Sequence, residues 1–203
     1  MNRMSGRERI LDRIRAAILT REQTDHPGAF EGWRPAVRLT SSVQRFAELF
    51  ESTGGEVEIQ ATVEDAATWL ADFCVSFRGV SVGAGVPDEL RPDLAIVPAD
   101  TADLGVSMAA GAIAETGSLL LDARDGRRTQ LLPPTHVVFV REQDVRETFR
   151  DALLDSQGDL PSAIGLHSGP SKSADIGRYL VRGVHGPGRV VAVVLGERIT
   201  DSS

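Results

Sequence analysis

Val190-Val-Ala-Val-Val-Leu195 and Val137-Val-Phe-Val140 are apolar from end to end and rich in β-branched residues. Gly186-Pro187-Gly188 precedes the first and Pro133-Pro134 the second. A strand with one face in water alternates apolar and polar side chains, so a short run without alternation belongs to a strand covered on both faces. Val80–Val82, Leu94–Val97, Ser118–Leu121 and Ala163–Leu166 carry the same signal in shorter form, and all are expected to be buried strands. Val57–Ile59 suggests one more short strand.

Helical signals lie between these runs. From Ser42, Val43, Phe46, Leu49 and Phe50 share one helical face, and Gly54-Gly55 stands at the usual C-terminal glycine position. Thr62 with Asp65 resembles a cap for a helix through Trp69 to Phe73. Asp144 with Glu147 is expected to cap a helix carrying Val145, Phe149, Ala152 and Leu153, and Ser173 to Val181 is expected to form another. Strands alternating with helices imply βαβ units, hence an α/β fold with a largely parallel sheet.

The chain opens on Ser5-Gly6-Arg7-Glu8, which has capping-box spacing, and Ile10, Leu11, Ile14 and Ile18 then recur at helical intervals. This helix is expected to bury one stripe. Thr20 to Thr40 lacks periodicity and reads as a long surface connection. At 203 residues the chain lies near the upper end of what one core serves. We therefore expect one domain over residues 1–203, with 1–40 an N-terminal helix and loose connection.

Composition narrows the function classes. With 41% hydrophobic and 25% charged residues the chain is an ordinary globular one, and a net charge of -7 argues against nucleic acid, which needs clustered cations. Arg124 to Arg128 is interleaved with Asp122 and Asp125 and reads as a solvated turn. The single cysteine, Cys74, allows no internal disulfide, and an iron-sulfur cluster needs about four thiolates. Such redox chemistry would sit on another chain, and no cofactor is expected in this one. No apolar run approaches the roughly 18 residues of a membrane span, so neither a membrane partner nor a location outside the cytoplasm is expected.

Gly83-Ala84-Gly85 follows an apolar run, but Asp88 stands where a third glycine would be and Pro87 interrupts, so the dinucleotide fingerprint fails. Two other segments carry more. His167-Ser168-Gly169-Pro170-Ser171-Lys172-Ser173 follows an expected strand and precedes an expected helix. Free N–H groups at a helix N-terminus, hydroxyls and an ammonium would together suit an anion, at the carboxyl ends of the parallel strands. The alternative is that Ser171 or Ser173 only caps the helix and Gly169-Pro170 only sets a turn.

Ala112-Ile-Ala-Glu-Thr-Gly-Ser118 holds a single acid, Glu115, among small and apolar neighbours. Partial burial would suit that carboxylate to acid/base or nucleophilic work; otherwise it caps a backbone or pairs with Lys172 or an arginine. His136 and His185 stand at expected loop–strand boundaries as possible proton carriers. Their spacing with His167 does not favour a metal site, and none is expected.

Four ordered stretches resemble the lactate utilization protein C family, also called the LUD domain: Ala112–Ser118 with Leu119–Leu121, Leu132-Pro-Pro-Thr-His136, Ser168-Gly-Pro-Ser-Lys-Ser-Ala-Asp-Ile176, and Gly183-Val-His-Gly-Pro187. Relatives often carry Arg-Thr in place of Lys172-Ser173, and an acid in place of Gly177. The resemblance implies a three-layer α/β sandwich similar to the glucosamine-phosphate isomerase, ribose-phosphate isomerase and coenzyme A transferase group. It also implies a non-redox role in oxidising L-lactate to pyruvate, beside partner subunits that carry iron-sulfur clusters.

The expected catalytic set is Glu115, His136 and His185. The expected ligand-binding set is Thr116, Gly117, Ser118, Ser168, Gly169, Pro170, Ser171, Lys172, Ser173, Asp175 and Gly186. Glu115 and Lys172 are expected to meet in one pocket on the ligand-binding rim. Three readings follow: a component that binds an anion or the cluster-bearing subunits; a coenzyme A transferase-like or sugar-phosphate isomerase-like enzyme using Glu115; or a scaffold whose motifs serve packing and a homodimer.

Overall fold

A computed structural model describes residues 5–19, 41–155, 158–174 and 180–196, in two compact units, Met1–Arg38 and Leu39–Ser203. In the first, α1 (Gly6–Leu19) starts on the expected capping box: the Ser5 N–H donates to Glu8 Oε2 at 2.6 Å and the Glu8 N–H to Ser5 Oγ at 3.2 Å. No residue of α1 is buried, and Ile10, Ile14 and Ile18 are exposed, so the expected buried stripe is absent. No helix among the described residues is long and apolar enough to cross a membrane.

The second unit runs α2 (Ser42–Ser52), β1 (Glu56–Gln60), α3 (Val63–Cys74), β2 (Gly79–Val82), β3 (Ala95–Ile96), β4 (Leu104–Met108), β5 (Gly111–Ile113) and β6 (Ser118–Asp122). It continues with α4 (Arg127–Leu131), β7 (Thr135–Arg141), β8 (Val145–Arg146), α5 (Phe149–Asp155), β9 (Ile164–His167), β10 (Lys172–Ala174), β11 (Leu180–Arg182) and β12 (Arg189–Leu195). Six strands form one parallel sheet in the order β1-β12-β7-β4-β2-β3, so the last strand among the described residues lies between β1 and β7. The apolar runs of β7 and β12 are central because both of their faces are covered.

One face carries Val80, Val106, Phe139 and Val193 against Leu70 of α3. The other carries Val138, Val140, Ala192 and Val194 against Phe46 and Phe50 of α2 and against Leu119 and Leu121 of β6. Those last two belong to a second sheet, β8-β5-β6-β9, in which β6 runs antiparallel to both neighbours. Its far face packs Ile113 and Leu120 against Ala152 of α5. The architecture is α/β, a mostly parallel central sheet flanked by helices, as expected, with this second sheet as an additional layer.

Several elements differ from expectation for local reasons. Leu104-Gly-Val-Ser-Met108 is a central strand whose Gly105 and Ser107 mask the apolar pattern. A Cβ on Gly105 would lie 2.6 Å from the Thr129 carbonyl of α4, and Ser107 Oγ meets His136 Nε2 at 2.9 Å. Ala95–Ile96, expected to be buried, is an exposed edge strand, and β9 is half-exposed at the edge of the second sheet. Val145–Arg146 is spent on pairing with Ala112 and Ile113, so the following helix starts at Phe149. Its first turn is held by Thr148, whose Oγ1 accepts from the Asp151 N–H at 3.2 Å.

Asp125 is buried rather than solvated: its Oδ1 accepts from the Gly85 N–H at 2.7 Å, against the glycines of Gly83-Ala84-Gly85. The segment expected to be a helix over Ser173–Val181 opens and closes as the antiparallel pair β10–β11, with residues 175–179 outside the described residues. Its backbone is committed elsewhere. The Ser171 N–H donates to the Pro187 carbonyl at 2.8 Å, and the Ser171 carbonyl accepts from the Gly183 N–H at 3.0 Å. Among the described residues no helix N-terminus is therefore presented to a ligand there.

Candidate functional site

The turn Ala114–Gly117 joins β5 to β6 and presses against the last turn of α2. Gly117 has φ +58°, and a Cβ on it would lie 2.6 Å from both Leu49 Cβ and the Phe50 nitrogen. Only glycine meets both demands. Beyond the turn, a chain of hydroxyls leads away: Thr116 Oγ1 to Ser118 Oγ at 2.8 Å, and Ser118 Oγ to Ser168 Oγ at 2.6 Å. Ser118 is buried while Thr116 and Ser168 are exposed.

Gly169, at φ +97°, lets the chain turn over α2, where a Cβ would meet Thr53 Oγ1 at 2.4 Å. Lys172 Nζ then donates to the Thr53 carbonyl at the C-terminal end of that helix. A cation is well placed there, because the helix macrodipole is negative at that end. Besides the two backbone bonds of Ser171, its Oγ accepts from the His185 N–H at 3.3 Å, and a Cβ on Gly186 would touch Ser171 Cβ at 3.4 Å. Gly188 and Arg189 donate to the Pro134 carbonyl at 2.9 and 3.2 Å.

The four stretches singled out in the sequence are thus one hydrogen-bonded network. Ser118–Ser168 joins the first to the third, Ser171 joins the third to the fourth, and Pro134 joins the residues just after the fourth to the second. The network lies at the amino ends of β1, β7 and β12, since Thr53–Gly55, Pro134 and Gly188 immediately precede those strands. The expected rim was the opposite one. β12 is inserted between β1 and β7; the second and fourth stretches lead into β7 and β12, and the first and third are bonded or packed against these loops and the end of α2.

Glu115 and Lys172 are not each other's partners. Glu115 is half-buried and its Oε1 accepts from the Phe149 N–H at 2.6 Å, tying the turn to the start of α5, while its own N–H donates to the Glu147 carbonyl at 3.0 Å. His136 is fully buried, with Nδ1 unpartnered among the described residues. Burial, reinforced by the nearby His167, pushes its pKa down to about 3, so the ring is neutral. Burial also lowers His167. His185 is exposed, Pro170 is buried, and Ser173 and Gly186 are half-buried; Asp175 and Gly177 lie outside the described residues.

Arg182, Thr53 and Gly54 belong to this edge; Gly54 was legible only as the glycine ending a helix, and Arg182 and Thr53 carried no sequence signal of their own. Arg182 stands directly opposite Lys172 on the β10–β11 pair, a register that a helical reading hides. A cavity of about 250 Å³ lies on the outer face of the second sheet, lined by Asp122, Arg124, Asp144, Arg146 and Asp155 among others, and touches none of the candidate site residues. Its charges are largely matched: Arg124 meets Asp122 at 2.5 Å and Asp159 at 2.9 Å, and Arg146 bonds Asp155.

No three His, Cys, Asp or Glu side chains gather into a metal-holding group among the described residues. The lone Cys74 is buried, and desolvation raises its thiol pKa to about 11.

Proteins similar to this chain include several named lactate utilization protein C. Lactate utilization protein C of Macrococcus caseolyticus is 32% identical over 137 residues, covering 64% of this chain and 58% of that protein. Lactate utilization protein C of Deinococcus radiodurans is 37% identical over 134 residues, covering 59% and 63%. Lactate utilization protein C 1 of Bacillus mycoides is 35% identical over 108 residues, covering 49% and 46%. The chain therefore spans about half to two-thirds of the length of these relatives.

The crystal structure of a DUF162 family protein from Deinococcus radiodurans superimposes with a TM-score of 0.59 at 23% identity, covering 76% of this chain and 96% of that one. It shares the fold. The LUD domain family model matches residues 95–195, a stretch that contains all four interlocked segments. By that match residues 95–195 of the chain are a LUD domain.

Proposed function

We propose that this chain is a non-redox component of L-lactate utilization, and that its working surface is the network at the amino ends of β1, β7 and β12. There it binds a small anion or the cluster-bearing subunits that oxidise lactate to pyruvate. The observation that carries this reading is the single network formed by segments far apart in the chain. Packing alone does not require exposed Thr116, Ser168, Lys172 and His185 to be gathered at one edge. The name shared by the relatives, lactate utilization protein C, supplies the process.

Glu115 enters this reading as a positioning residue. Its carboxylate holds the Phe149 N–H and so fixes the turn that sets Ser118 beside Ser168. A strain lacking the gene is expected to grow on pyruvate but not on L-lactate. The wild-type gene should restore growth on lactate, and Lys172→Ala should restore it poorly. Normal growth of the deletion strain on L-lactate as sole carbon source removes the proposal.

A further inference from the structure

Lys172 and Arg182 are a directly opposed pair on the β10–β11 ladder, so their side chains share one face. Both heads reach over Gly54, which ends α2 with φ +88°. Arg182 Nη2 lies 3.4 Å and Lys172 Nζ 3.7 Å from the point a Cβ on that glycine would occupy. Opposed like charges destabilise a ladder. In a chain with 29 acidic against 22 basic side chains, a carboxylate beside them would be the ordinary remedy. Among the described residues none is bonded to either: the Lys172 ammonium has the Thr53 carbonyl, and the Arg182 guanidinium has no hydrogen-bond or ion-pair partner.

The helix end supplies roughly half a negative charge against two positive ones. A surplus of roughly one and a half charges is left, focused on one spot beside Ser168 and Gly169. A monocarboxylate would leave part of it unmatched, whereas a phosphate group carries about -1.5 to -2 at pH 7. Arginine's planar fork and lysine's point charge are the usual pair of donors for such a group.

We propose that Lys172 and Arg182 form a clamp over Gly54 for a phosphate group, free or borne on a small organic molecule. The proposal rests on the reading of this edge as an anion-binding surface, and it adds both Arg182 and the class of ligand. The test is the melting temperature of the full chain at constant ionic strength in sodium chloride, with inorganic phosphate, glycerol phosphate or L-lactate added. At about ten times Kd, a bound phosphate raises the melting temperature by about 3 to 5 °C.

Phosphate is expected to give that rise and lactate a smaller one. Inorganic phosphate acting as strongly as glycerol phosphate identifies the free ion as sufficient, and a stronger effect of the ester identifies the organic form; both support the clamp. Arg182→Gln and Lys172→Gln should each abolish the rise. Without phosphate, Arg182→Gln should melt no lower than the wild type, because it relieves repulsion, whereas a guanidinium that served only packing would be missed. A wild-type rise retained in Arg182→Gln, a phosphate effect no larger than that of chloride, or a lower melting point of Arg182→Gln without phosphate overturns the clamp. Lactate growth reads the wider proposal separately: loss of growth on deletion combined with an unchanged phosphate rise in Arg182→Gln removes the clamp alone.

Discussion

Gly117→Ala tests whether the turn between β5 and β6 is held to α2 by close approach rather than by its sequence alone. Two costs add. At φ +58° an alanine pays roughly 1 to 2 kcal/mol for left-handed backbone. Its Cβ would also lie 2.6 Å from the Phe50 nitrogen and from Leu49 Cβ, where backbone must move and nothing flexible can yield, and overpacking of this kind costs about 1 to 3 kcal/mol. The sum is roughly 2 to 5 kcal/mol, from a total stability typically of about 5 to 15.

Gly158 supplies the control. It also has positive φ, +94°, but nothing lies within 4 Å of the position its Cβ would take, so Gly158→Ala pays the backbone cost only. Urea unfolding of both variants beside the wild type gives the steric component as their difference, expected at about 1 to 3 kcal/mol. Gly117→Ala should also weaken any anion effect on stability, because α2 carries Thr53, on which Lys172 rests. Equal destabilisation by the two substitutions would mean that the turn does not bear on the helix, and the assembly of the network would need another explanation.

Two further outcomes follow from the geometry. The folded-state pKa of His136, about 3, lies below its ordinary 6.5, so the unfolded chain binds the proton first and stability is lost as pH falls from 6.5 toward 3. Lowering the pH from 6.5 to 5 should therefore cost on the order of 2 kcal/mol through this ring, with His167 adding in the same direction, and urea unfolding of His136→Gln should show a correspondingly shallower pH dependence. Glu115→Gln, which keeps an oxygen for the Phe149 N–H, should retain both stability and lactate growth, whereas Glu115→Ala should cost about 1 to 2 kcal/mol in a thermal melt. Loss of growth in the stable glutamine variant would give the carboxylate a chemical role beyond positioning.

The sequence made legible what depends on local pattern. β7 and β12 announce themselves because every residue of their cores is apolar and both faces are covered, α2 because Val43, Phe46, Leu49 and Phe50 form one stripe ahead of Gly54-Gly55, and α3 because Thr62 caps it. β4 escaped because Gly105 and Ser107 answer to α4 and His136, partners remote in the chain. Among site residues, the glycines and hydroxyls of the four stretches were visible as candidates, but their partners were not. Arg182 matters only through its register with Lys172, and Gly54 only because two cations cross it.

Which edge of the sheet holds the network was the least readable feature, and it changes the physics of the site. At the carboxyl ends of parallel strands, helix N-termini bring positive dipoles to an anion with no side chain needed. At the amino ends the nearest helix terminus is that of α2, and it is negative. An anion can be held here only by side-chain cations strong enough to reverse that field, and the chain places two of them on one short hairpin. Binding at this edge should consequently depend on Lys172 and Arg182 almost entirely. Because both are exposed, it should also weaken as salt rises from 0.01 to 0.15 M and the screening length shortens from about 30 to about 8 Å. Affinity unchanged over that range would place the ligand in a buried site away from the hairpin.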